Sequence, residues 1–155
     1  MPDKATVERA KKDLREGKSP STAAGGFVRE ELEHLREGEH GARSSKQAIA
    51  IGLSKARRAG VPLEPPTKEQ SSARTRRSAK QDLEVGRQER KPRAPSKKRS
   101  KATQGALKRE GRQAASKQAL SAQAKSASRK RTATARKTSA RKAAATRKAS
   151  SRQRR

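Results

Sequence analysis

Large apolar side chains are crowded into the first third of this chain, and where they are dense their spacing is helical. Eleven of the fifteen Val, Ile, Leu and Phe residues lie within residues 1–66, and only Leu83, Val85, Leu107 and Leu120 follow. The spacing predicts a first helix from about Asp3 to Glu16, with Val7, Ala10 and Leu14 on one stripe and Gly17 as a left-handed stop. A second helix follows Ser19-Pro20, a cap with proline in the first turn, and carries Phe27, Val28, Leu32 and Leu35 up to Gly38. A third opens on Ser44 with Gln47 three residues later, the pattern of a capping box, and runs to Arg58 or Ala59 before Gly60 and Pro62 end it.

That third helix has apolar groups on two faces. Ile49, Leu53 and Ala56 share a stripe, whereas Ile51 lies roughly 200° round from Ile49 at about 100° per residue. A single neighbour leaves one face bare, so the helix is either sandwiched between the other two or completed by a second subunit. Ile49, Ile51 and Leu53 are therefore the candidate partner face, for a second copy or another protein, and Gly52 permits close backbone approach in either case. Three prolines between Pro62 and Pro66 read as a stiff linker. Beyond it, Thr67 with Gln70 starts another helical stretch reaching about Arg87; with at most Leu83 and Val85 to bury, it is expected to be solvated or transient.

Charge divides the chain at the same place. Residues 1–66 hold 13 basic and 10 acidic residues, and the remainder holds 30 basic and 5 acidic. The whole carries +28, with 28% hydrophobic residues, no Trp, no Tyr and a single Phe, Phe27, so most of its length has little to bury against its ordering entropy. The fold class that follows is a small all-α N-terminal module of about three helices, with a long, mostly disordered basic tail bearing transient helices. Its parts are a helical module at 1–61, the Pro-rich linker at 62–66, a basic and partly helical segment at 67–110, and a disordered polycationic tail at 111–155.

A net charge of this size calls for a polyanion nearby. From Gly111 to Arg155 there are 15 basic residues and no acidic one, with Arg-Lys pairs at 129–130, 136–137, 141–142 and 147–148 separated mainly by Ala, Ser and Thr. Such a segment grips phosphates without reading sequence, because each phosphate neutralised releases condensed counterions. The candidate contacts are Arg129, Lys130, Arg131, Arg136, Lys137, Arg141, Lys142, Arg147, Lys148, Arg152, Arg154 and Arg155. Pair steps of 7, 5 and 6 scatter charge around a helix and leave no apolar face to insert into a membrane. Base readout on single strands usually stacks aromatics, which are nearly absent.

Two stretches resemble known proteins. SSKQAIAIGLSKARRAGVPL at 44–63, preceded by KSPSTAAGGFVREELEHLREGEHGAR at 18–43, resembles a family of small, uncharacterised bacterial proteins with basic tails, a likeness that implies no activity. TARKTSARKAAATRKAS at 134–150 is similar to linker-histone tails and bacterial lysine- and alanine-rich tails, and this likeness implies DNA compaction.

Other chemistry finds little support. The connection from Gly38 to Arg43 is longer than the 3–4 residue turn of a helix-turn-helix. His34 and His40, the two histidines, stand six residues apart across Gly38, poor spacing for ligands on one helix; Glu33, Glu37 and Glu39 nearby could complete a weak metal site, but the favoured reading is surface histidines among helix-end carboxylates. No nucleophile has a base, and Gly25-Gly26 is not a phosphate loop. The expectation is a non-enzymatic chain without cofactor or metal, cytoplasmic and nucleoid-associated, binding DNA nonspecifically and compacting it. RNA or ribosome association is one alternative; an adaptor whose helical module binds a protein partner is another.

Overall fold

The computed structural model describes residues 2–92, 94 and 96–152, and these form helices from one end to the other. In order they are α1 (Lys4–Arg15), α2 (Pro20–Glu37), α3 (Ser45–Arg58), α4 (Ala73–Gly86), α5 (Lys97–Arg109), a short 3-10 turn at Gln113–Ala115, α6 (Lys117–Arg129) and α7 (Ala133–Arg152). The chain divides into two compact units, residues 1–119 and residues 120–155. Among the described residues no helix is long and apolar enough to cross a membrane.

The first three helices lie where their punctuation placed them. Ser19 accepts a hydrogen bond from the Thr22 N–H at 3.3 Å, and Gly38 closes α2 in the left-handed conformation at φ 86°. Ser44 accepts from the Gln47 N–H at 3.2 Å, while the Gln47 amide reaches back to the Arg43 N–H at 3.0 Å. Pairing turn N–H groups with side chains in this way removes orphan donors that would otherwise face solvent or core unsatisfied.

One core lies among α1, α2 and α3. Phe27 is fully enclosed by Ala10, Ala23, Ala24, Ala56 and Val61, with Val7, Leu14, Leu53 and Leu63 around the edge. A second core joins Leu35, Ala42, Ala48, Ala114 and Ala115, so the 3-10 turn is part of the bundle. Among the described residues, nine of the thirteen buried hydrophobics are alanine, which lets backbones approach closely and explains how so few large side chains suffice. Gly52 shows how close: a Cβ there would lie 2.7 Å from the Val28 Cα.

The expected disordered tail is corrected by this structure, because α4 to α7 are regular helices. For α4 the reason is packing. Ala79, Asp82 and Leu83 are buried, and Asp82 accepts from Ser54 Oγ and Arg58 Nε of α3, each at 2.6 Å. The second apolar face of α3 is therefore not left to α1: α2 and α4 both pack on this helix. Thr67 and Gln70 form only a turn, and α4 starts later, at Ser72, whose hydroxyl accepts from the Thr75 N–H at 3.2 Å. The proline segment is held as well. Arg57 donates to the Leu63 carbonyl at 2.9 Å and the Glu64 carbonyl at 3.2 Å.

For α6 and α7 the reason is local. Like charges oppose a helix when they stand three or four residues apart. Arg-Lys steps of 7, 5 and 6 largely skip those spacings, leaving Lys125 with Arg129, Lys137 with Arg141 and Lys148 with Arg152. At a few tenths of a kcal/mol each, three pairs oppose the helices by roughly 1 kcal/mol, too little against many Ala, Lys, Arg and Gln positions without proline. Caps add to this: Ser116 Oγ accepts from the Ala119 N–H and Thr132 Oγ1 from the Ala135 N–H, both at 3.1 Å.

Candidate nucleic-acid interface

The second unit is a pair of basic helices. Arg129 ends α6, Lys130 and Arg131 form the turn, and Arg136, Lys137, Arg141, Lys142 and Arg147 follow along α7; all eight are exposed. Positions 148 and 152 belong to α7 as well, while Arg154 and Arg155 lie outside the described residues. The Arg131 guanidinium folds onto α7, donating to the Ala135 carbonyl at 3.3 Å and to Ser139 Oγ. It thus fixes the junction in addition to carrying charge.

Helical register changes the charge pattern expected from a scattered polycation. At about 100° per residue, Arg136, Lys137, Arg141 and Arg147 fall within an arc of roughly 140°, and positions 148 and 152 extend it only slightly. Lys142 lies outside that arc. The opposite side holds Ala135, Thr138 and Ser139, with Lys142 among them. At ~1.5 Å per residue α7 is about 30 Å long, and its cations from Arg136 to Arg147 follow roughly 17 Å of that length.

The first unit adds cations of its own. Arg36, Arg112, Ser116 and Lys117 line an open cleft of about 730 Å³ beside the 3-10 turn. Arg36 donates to the Ala115 carbonyl at 3.3 Å, and the Arg112 guanidinium lies over Gly38 at the carboxyl end of α2, where the helix dipole favours a cation. On α5, Lys97, Lys98, Arg99, Lys101, Lys108 and Arg109 are exposed. Burial lowers the Arg57 guanidinium from its ordinary value, against the pull of Asp82 and Glu64. That arginine is a structural pin and not part of the cationic surface.

The candidate partner face is only half available. Ile49 and Ile51 are half-buried, while Leu53 packs against the Phe27 core.

Sequence spacing also missed a cluster of potential ligands. Glu31, His34 and His40 each place one ligand atom within 4.8 Å of the others, and Asp3, Glu30 and His34 form a second such group. The histidines meet because Gly38 reverses the chain: the N–H groups of Gly38 and Glu39 both donate to the His34 carbonyl, at 3.0 and 3.1 Å. A helix-ending glycine between two histidines was the available signal. Of Glu33, Glu37 and Glu39, Glu39 approaches a histidine, with its carboxylate 3.6 Å from His34 Nδ1. No family model, curated protein or solved structure matches the chain.

Proposed function

We propose that this chain is a non-enzymatic, sequence-nonspecific DNA binder, nucleoid-associated, that grips phosphates through α6, α7 and the turn between them. One observation carries the reading: a run of 15 cations from Gly111 to Arg155 with no acidic side chain among them, of which all eleven with described side chains are exposed. Such cations gain most from a polyanion, through counterion release, and the near absence of aromatics leaves no platform for stacking single-stranded bases. Small residues and Lys142 opposite the cationic arc of α7 offer little to a membrane, where an amphipathic helix needs large apolar groups. Cations on α5 and around Arg112 give the same chain further phosphate contacts, which supports compaction by bridging strands.

Binding to fluorescent duplexes of about 30 base pairs across a salt series tests this. With roughly seven phosphates engaged, log affinity should fall against log salt with a slope near −6, and shuffling the duplex sequence should change little. Salt-insensitive binding overturns the mechanism. Stronger binding to duplex or ribosomal RNA at equal salt replaces DNA with RNA as the partner.

A further inference from the structure

We propose that Glu31, His34 and His40 form a binding site for a zinc-class divalent metal ion. The site is independent of nucleic-acid binding. It lies where the carboxyl-terminal half of α2 meets the loop after Gly38, on the most acidic stretch of an otherwise basic chain: Glu30, Glu31, Glu33, Glu37 and Glu39 all fall within ten residues.

Glu31 carries the inference. Its residue is 0% exposed, and neither carboxylate oxygen accepts a hydrogen bond. Two nitrogens face it at ion-pair distance: Lys55 Nζ lies 2.7 Å from Oε2 without hydrogen-bond geometry, and His40 Nε2 lies 3.3 Å from Oε1. A buried carboxylate has to be compensated by a cation. Lys55 serves one oxygen and leaves Oε1 to the histidines.

His40 is oriented for that task. Its Nδ1 is 3.2 Å from the Gly41 carbonyl, which can only accept, so Nδ1 carries the hydrogen and Nε2 is turned toward Glu31. With Nδ1 protonated, a neutral ring would aim its Nε2 lone pair at a carboxylate oxygen. Either a second proton or a metal ion relieves that repulsion, and a backbone carbonyl on the far nitrogen is the usual outer partner of a metal-bound imidazole. In a tetrahedral zinc site with bonds of ~2.0–2.2 Å, neighbouring ligand atoms stand about 3.4 Å apart, the separation already present between His40 and Glu31. His34 completes the set from one turn along α2, and Glu39 stands beside its Nδ1 as an outer carboxylate. Two imidazoles and one carboxylate select zinc, cobalt or nickel over magnesium, which prefers an all-oxygen shell.

The Glu30 group is less open to a metal, because both Glu30 oxygens already face the Asp3 N–H at 3.3 Å. Occupancy at Glu31 would instead fix the loop from Gly38 to Arg43. That loop holds the last turn of α5 and the chain just after it: Gly41 N–H donates to the Leu107 carbonyl at 2.9 Å and Ala42 N–H to the Gly111 carbonyl at 3.2 Å. A metal there would therefore steady the docking of residues 107–116.

The test uses the full, untagged chain stripped with chelator, titrated with zinc chloride by calorimetry and with cobalt chloride by visible absorption. One equivalent should bind, cobalt should show the intense d–d bands of a four- or five-coordinate site, and magnesium should not compete. His34→Gln and His40→Gln should each weaken zinc at least tenfold, as should Glu31→Gln, while Glu33→Gln, exposed on α2, should not. Far-UV circular dichroism checks that each variant is folded; if Glu31→Gln is not, the two histidine variants decide. Absence of stoichiometric zinc binding, or a folded His40→Gln chain that binds zinc as well as the parent, overturns the site and leaves only a histidine–glutamate contact in its place.

Discussion

Gly52 and Gly25 both sit inside helices, and the fold predicts opposite outcomes for the same substitution at the two positions. An alanine Cβ at 52 would lie 2.7 Å from the Val28 Cα and 3.0 Å from the Phe27 carbonyl oxygen. Both are backbone atoms, so no rotamer change relieves the clash, and α2 and α3 must separate by most of an ångström to restore a ~3.5–4.0 Å contact. Overpacking of this kind costs about 1–3 kcal/mol. At 25, nothing lies within 4 Å of the new Cβ. Alanine is favoured over glycine in a helix interior by ~0.8–1.0 kcal/mol at either site, so this contribution cancels in the difference. Gly25→Ala should therefore stabilise by about 1 kcal/mol, and Gly52→Ala should fall about 1–3 kcal/mol below it. For a folded unit of this size, that is a gap of roughly 4–12 °C in melting midpoint, read by circular dichroism at 222 nm. Midpoints within a degree of each other would refute the close α2–α3 packing.

Further expectations follow from the same geometry. Leu83→Ala, on the buried face of α4, should cost about 2–3 kcal/mol in denaturant unfolding, whereas a neutral result would return α4 to solvent. Ser44→Ala removes the acceptor for the Gln47 N–H and should cost about 1 kcal/mol by the same measurement; no loss would mean that water or Gln47 replaces the cap. Replacing Arg136, Lys137, Arg141, Lys142 and Arg147 together by glutamine, a helix former of similar propensity, should keep the far-UV spectrum. It should also flatten the salt slope for duplex DNA by up to about 4, and an unchanged slope would move the phosphate contacts elsewhere on the chain.

The amino-acid sequence by itself determined the ends of the first three helices and the position of the charge, because both depend on neighbouring residues alone. Ser19 and Ser44 cap where they stand because a hydroxyl reaches only the next turn, and Gly38 ends α2 because it adopts a left-handed conformation without a Cβ penalty. The cationic run after Gly111 is equally local. Tertiary structure decided the extent of the core. Counting Val, Ile, Leu and Phe placed its end near residue 66, yet Ala79, Ala114 and Ala115 are buried, since an alanine gains from burial only when another backbone comes close enough to cover it. Nothing in the order of residues announces that approach. The like charges in α6 and α7 were legible as well, but at a few tenths of a kcal/mol for each pair they yield to the helix propensity of the Ala, Lys, Arg and Gln around them. The meeting of His34 and His40 on Glu31 belongs to the tertiary level too, because six residues of chain separate them in sequence and a left-handed turn at Gly38 brings them to one buried carboxylate.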